Sequence, residues 1–134
     1  MYRVLSIDNA EMTKNIELEN IKTGTVDMCF DDSALVDNRN FNFMNVGGEY
    51  DCKIKLFGNV VMNSYKEDKT VLCKIVDRDI VIGTKKMVKV LVENDEYYIP
   101  TKKVTDFLEL KEFYFKYTRK DLIEVDNITH ADLL

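Results

Sequence analysis

His130 is the only histidine in the chain, and Ser6, Ser33 and Ser64 are the hydroxyls it would have to activate for nucleophilic catalysis. Such chemistry needs a base held against its nucleophile by rigid structure and oriented by a third group. None of the serines stands in a nucleophile-elbow context, and His130 falls in a C-terminal segment that reads as a loose tail. Gly47-Gly48 lacks the further glycines and the following helix of a phosphate-binding loop. No catalytic residue is assigned, no cofactor is implied, and the expected class is non-enzymatic. Cys29, Cys52 and Cys73 are widely spaced within apolar runs and have no C-x-x-C pairing, so they read as small buried hydrophobes rather than zinc ligands. Asp31-Asp32, with Asp27 and Asp37 nearby, is the one carboxylate cluster that suggests a divalent cation. It lacks the glycine-containing loop spacing of a calcium site and suits side chains that cap a turn. No metal ligand is assigned.

One composition does suggest a ligand. Tyr97, Tyr98, Phe113, Tyr114, Phe115 and Tyr117 are interleaved with Lys102, Lys103, Lys111, Lys116, Arg119 and Lys120, the pairing of stacking surface and cation that binds single-stranded nucleic acid. Strand alternation turns half of those rings into the core, which leaves Tyr98, Tyr114 and Lys116 for solvent. The candidate nucleic-acid-binding set is therefore Tyr98, Lys102, Lys103, Tyr114, Lys116 and Arg119. From Gly83 to Lys120 nine basic residues face six acidic ones, a small local excess. Against it stands a net charge of −5 over 134 residues, which repels a phosphate backbone whose binding depends on Lys and Arg.

The elements that must position these residues are strands. Tyr50, Cys52, Ile54 and Leu56 alternate with Asp51, Lys53 and Lys55, which puts an apolar row on a core and a charged row in water. Tyr2 to Ile7 reads as a first strand buried on both sides. Asn15 to Ile21 and Thr25 to Phe30 form a hairpin about Thr23-Gly24, with Ile16 and Leu18 sharing one face and Val26, Met28 and Phe30 another. The polar stretch from Asp31 to Asn40 is a loop with room for one helical turn at Ala34-Leu35-Val36, capped by Asp32 or Ser33. Lys66-Glu67-Asp68-Lys69 marks a turn, Asp77-Arg78-Asp79 a break between Thr70 to Val76 and Ile80 to Gly83. Met87 to Val92 and Tyr97 to Pro100 make a tight hairpin about Asn94-Asp95, ended by Pro100. A helical turn is expected within Thr101 to Leu110, a late strand at Phe113 to Tyr117, and a stub of helix after Thr129.

Many short strands, few helical windows and no repeat predict an all-β chain with minor α: one antiparallel β-barrel, a sandwich being the alternative, as a single domain over residues 1–134. The run from Val46-Gly47 through Tyr50, Lys53, Ile54 and Gly58 to Asn59-Val60-Val61 resembles the opening strand of OB-type barrels, which alternates and then bends hard at a glycine. That resemblance over residues 46–61 implies an OB-like barrel. It brings no ligand with it.

The hydrophobic fraction of 46% suffices for one core. No apolar run approaches the roughly 18 residues of a membrane span and no signal peptide opens the chain, so no membrane partner is expected and the expected location is cytoplasmic. The first functional expectation is a non-enzymatic adaptor that recognises a protein partner through an acidic, partly aromatic surface. An acidic protein of this size is steered towards basic nucleic-acid-binding sites, so a regulator of a nucleic-acid enzyme is its specific form. The second expectation is an OB-like single-strand binder that uses the Gly83 to Lys120 face, and the third is a structural subunit joined through a strand edge.

Overall fold

The computed structural model describes residues 1–62 and 68–134. Ser64 and the Lys66-Glu67 part of the expected turn lie outside the described residues. The described residues form ten strands: β1 Tyr2–Ala10, β2 Thr13–Asn20, β3 Val26–Asp31, β4 Glu49–Tyr50, β5 Cys52–Val61, β6 Thr70–Ile82, β7 Lys85–Val92, β8 Asp95–Pro100, β9 Glu112–Val125 and β10 Ile128–Thr129. One helical turn, α1, covers Ser33–Val36, and 3-10 turns cover Thr101–Lys103, Thr105–Phe107 and Ala131–Leu133.

Five strands close a barrel in the neighbour order β5-β9-β6-β7-β8 and back to β5. Every contact in that ring is antiparallel except β5 with β8, which meet in parallel at Lys55 and Tyr98. The expectation of a β-barrel holds. A simple meander would pair β5 with β6, the next strand in the barrel; β5 is instead gripped by β9, the last long strand. β1, β2 and β3 form an antiparallel meander that joins the barrel where Phe30 of β3 pairs in parallel with Asp121 of β9. The small β4 pairs with β1 at the outer edge.

The alternation that opens β5 is kept. Ile54 and Leu56 are buried while Lys53 and Lys55 stay half-exposed on the opposite row, each buried aliphatic side chain contributing roughly 1.5–3 kcal/mol. The row breaks at Asp51, where the extended chain leaves β4 and enters β5. The register between β5 and β9 shifts twice, between Lys53 and Ile54 and between Phe57 and Gly58, and the bends re-aim the side chains that follow. Gly58 is required at the second bulge because a Cβ there would run into the backbone carbonyl of Lys116. One large core joins the meander to the barrel through Tyr2, Val4, Ile16, Leu18, Ile54 and Phe115. A smaller core of Ile82, Met87, Tyr98, Ile123 and Leu133 lies on the other side of the sheet.

Several local expectations are corrected. β1 is buried on one side only: Tyr2 and Val4 face the core, Arg3 and Leu5 face out, and a register shift at Leu5 precedes Ile7. In β3 the apolar row Val26 and Met28 is exposed while Asp27, Cys29 and Asp31 are buried. Asp77-Arg78-Asp79 does not end a strand; β6 runs through it with two register shifts. The β7–β8 turn is Glu93-Asn94, with positive φ at Glu93, and Asp95 already pairs with Val92. Pro100 closes β8, as its missing N–H requires. The three thiols are free, Cys29 and Cys73 buried and Cys52 partly so, and burial pushes Cys52 and Cys73 each up to about 12.

Candidate functional site

The outer face of β5, β9 and β3 carries a patch of rings and cations. Phe57 continues the row of Lys53 and Lys55 along β5, is 44% exposed, and lies opposite Arg119 of β9. The Arg119 guanidinium carbon is 4.8 Å from the Phe57 ring centroid and 4.6 Å from that of Phe30 on β3. The Lys55 and Lys103 ammonium groups also lie over the Phe57 ring, at 5.8 and 6.0 Å from its centroid. Arg119 donates from Nε and Nη2 to the two carboxylate oxygens of Asp121, at 2.5 and 3.1 Å. This bidentate bond holds the guanidinium in its charged form and fixes its plane.

Three depressions follow one another across this face. The first, about 380 Å³, lies beside Met28, Phe30, Tyr117 and Arg119. A small one of about 90 Å³ shares Phe30 and Arg119 with it and adds Lys55 and His130. The third, about 570 Å³, shares Lys55 and Leu133 with the second and is walled by Phe57, Lys85, Lys86, Lys102 and Lys103. Among the described residues the walls together carry eight cationic side chains against four carboxylates, while the net charge of the whole chain is −5. Three of those carboxylates are engaged: Asp121 by Arg119 and by Lys55 at 3.8 Å, Asp27 by Lys120, and Asp32 by His130 at 2.6 Å. On the third depression's wall, Thr101 Oγ1 is buried without a hydrogen-bond partner among the described residues.

The sequence-derived site residues separate into three groups. Lys102, Lys103 and Arg119 meet at this patch, together with Phe57. Lys116 is exposed on β9 opposite Asn59, the residue whose Oδ1 accepts a hydrogen bond from Lys103 Nζ at 3.3 Å, so it extends the same face. Tyr114 is half-buried further along β9, opposite Val61 and Leu72. Tyr98 is not a stacking surface: it is 6% exposed and packs in the smaller core. The alternation places Tyr98 with its ring inward on this side of the sheet, under the Lys89 ammonium at 5.9 Å. Burial pushes its phenol up to about 12. Phe30 and Phe57 are the rings that sequence reasoning did not select. The available signal was that Phe57 falls on the charged row of its strand, two residues after Lys55, where an aromatic has no core to fill.

His130 is also corrected. It is 5% exposed rather than held in a loose tail. Its ring packs edge-on against Phe41 at 6.1 Å, and its Nδ1 accepts the backbone N–H of Asp132 at 3.0 Å, so His130 rather than Thr129 caps the last turn. Nε2 then carries the proton and donates to Asp32 Oδ1 at 2.6 Å. Asp32, His130 and Asp132 bring ligand atoms within 4.8 Å of one another, a grouping that could hold a metal ion. A metal on Nε2 would force the proton onto Nδ1, against the N–H it now accepts. The ring is committed to two hydrogen bonds and ties the C-terminus to α1. Asp31 Oδ1 accepts the Ser33 N–H at 2.8 Å, the turn-capping role expected of that pair, while Asp32 makes no side-chain cap.

A larger depression, about 900 Å³, lies elsewhere, near the N-terminus, Lys22, Lys53, Asp51 and Glu96. Its mixed charges converge on no chemistry. Among the described residues no helix is long and apolar enough to cross a membrane. No protein-family model matches the chain, and neither curated proteins nor solved structures include one that matches it.

Proposed function

We propose that the protein is a non-enzymatic binding module for single-stranded nucleic acid, which it takes along the three linked depressions on the outer face of β3, β9 and β5. The observation that carries this reading is the clustering of Phe57, Arg119, Phe30, Lys55 and Lys103 on one exposed patch of an otherwise acidic protein. Rings offer a face to every base, cations follow the backbone, and the combination is tolerant of sequence. Acidic surface around the patch keeps phosphate in the groove and away from the rest of the molecule.

The test is titration of a fluorescent oligodeoxythymidine at several salt concentrations. Lys103→Ala and Lys85→Ala should each weaken binding and lower the slope of log K against log salt by about 0.7, the single-strand value per phosphate contact. Binding that is absent, or present with no salt dependence, sinks the reading.

The adaptor reading is favoured by a different observation. Leu35, Val36, Phe43 and Val46 are all exposed in the segment that links β3 to β4, and exposed apolar side chains in one region suit a protein partner. Salt-independent capture of one protein, lost in Phe43→Ser and Val46→Ser and kept in Lys103→Ala, would support this reading in place of the first. In its specific form that partner is a nucleic-acid enzyme, and a location in the cytoplasm would fit either reading.

A further inference from the structure

The inference rests on the single-strand reading and concerns what fills the stacking site before a strand arrives. The Arg119 guanidinium carbon lies over two rings on different strands, 4.6 Å from the centroid of Phe30 and 4.8 Å from that of Phe57. A flat cation with an aromatic ring at each of these distances fills a space suited to another flat group, and a nucleobase is such a group. We infer that Arg119 is a resident plug in a base-stacking slot formed by Phe30 and Phe57, and that a base of the bound strand displaces the guanidinium, which turns outward to a phosphate.

Three features make the exchange feasible. The Arg119 side chain is 46% exposed, so it leaves without moving the core. Asp121, only 11% exposed, keeps a counter-charge when Arg119 departs, because Lys55 Nζ is already 3.8 Å from its Oδ2. A carboxylate left alone there would oppose the movement. Finally, two of the depressions share both Phe30 and Arg119 in their walls, so a strand lying along them passes the slot. The exchange gives up two cation–ring contacts and the bidentate bond to Asp121, and in return stacks a base on aromatic surface and gives the freed guanidinium a phosphate partner.

The experiment compares an oligodeoxythymidine of about 12 nucleotides, within the span of one small barrel, with an abasic oligomer of equal length and charge. Both are titrated into the full chain and into Arg119→Ala, Arg119→Lys and Phe57→Leu, each first checked for native circular dichroism. The full chain should prefer the thymidine strand by about tenfold or more, the effect of one stacked base. Arg119→Ala should weaken the abasic oligomer and widen the preference, since the slot is open and a phosphate contact is gone. Arg119→Lys should restore abasic binding without narrowing it. Phe57→Leu should bring the preference close to one. Equal binding of both oligomers by the full chain would overturn the slot and leave the groove reading intact. An unchanged or reduced preference in Arg119→Ala would overturn the plug alone. Failure of both oligomers to bind would overturn the plug together with the reading beneath it.

Discussion

Asp27 illustrates at the scale of one residue why this chain folds as it does. It is 4% exposed, on the inward row of β3, where sequence alternation alone would favour an apolar side chain. Two groups far along the chain answer its charge: the Tyr97 hydroxyl donates to Oδ2 at 2.6 Å, and Lys120 pairs with Oδ1. The Lys120 ammonium also lies over the rings of Tyr97 and Tyr117, at 5.2 and 4.9 Å. Removing one partner of a buried pair strands the other, whereas removing both does not. Lys120→Met should therefore lower the unfolding free energy by about 3–5 kcal/mol, and Asp27→Leu combined with Lys120→Met by clearly less. Urea unfolding of the two single variants and the double variant measures the coupling, and simple additivity would refute it. The same residue marks a limit of sequence reading. Val26, Met28 and Phe30 were legible as one face of a strand, but alternation does not say which face is buried. The answer depended on Lys120 and Tyr97, 93 and 70 positions away.

Strands were legible as elements wherever one face met the core, and their joints were not. β5 could be read residue by residue because Ile54 and Leu56 are buried against lysines on the wet row. The break expected at Asp77-Arg78-Asp79 failed because these residues are exposed and their strand is held from elsewhere: Arg78 Nε donates to the Leu108 carbonyl at 2.6 Å, outside the ladder. The candidate site was half legible for a related reason. Lys102, Lys103 and Arg119 were singled out from composition, but the rings that join them come from β3 and β5, which only the closure of the barrel brings to β9. Closure at the site depends on Gly58, where a Cβ would strike the β9 backbone at Lys116. Backbone cannot move aside as a side-chain tip can, so Gly58→Ala should cost about 1–3 kcal/mol and shift Phe57 relative to Arg119. Thermal unfolding measures the first effect. Oligonucleotide affinity measures the second, and a variant with normal stability and normal binding would show that the bulge does not set the site.

At the scale of the whole molecule, two cores keep several acidic protons out of water. Burial pushes the thiols of Cys52 and Cys73 and the phenol of Tyr98 each up to about 12. It also raises the Cys29 thiol and the Tyr2 and Tyr97 phenols well above their ordinary values, with Asp27 adding to each. In the unfolded chain a thiol loses its proton near pH 8.5 and a phenol near pH 10. Below the lower of these values both states hold all the protons, and the groups leave stability unchanged with pH. Above it the unfolded chain holds fewer protons than the folded one, so alkali draws the equilibrium towards unfolding. The contribution is therefore complete below about pH 8.5 and is lost as pH rises through the folded values near 12. The melting temperature should fall steadily across that window, and Cys73→Ala should flatten the fall although it removes a packed side chain. Native protein at pH 8 should leave the buried Cys29 and Cys73 unreactive towards a maleimide until denaturant is added, since the thiolate is the reactive form. A melting temperature that holds level to pH 11, or rapid labelling of Cys73 in the native state, would mean that the barrel interior admits water and that its closure is looser than the ring of strands implies.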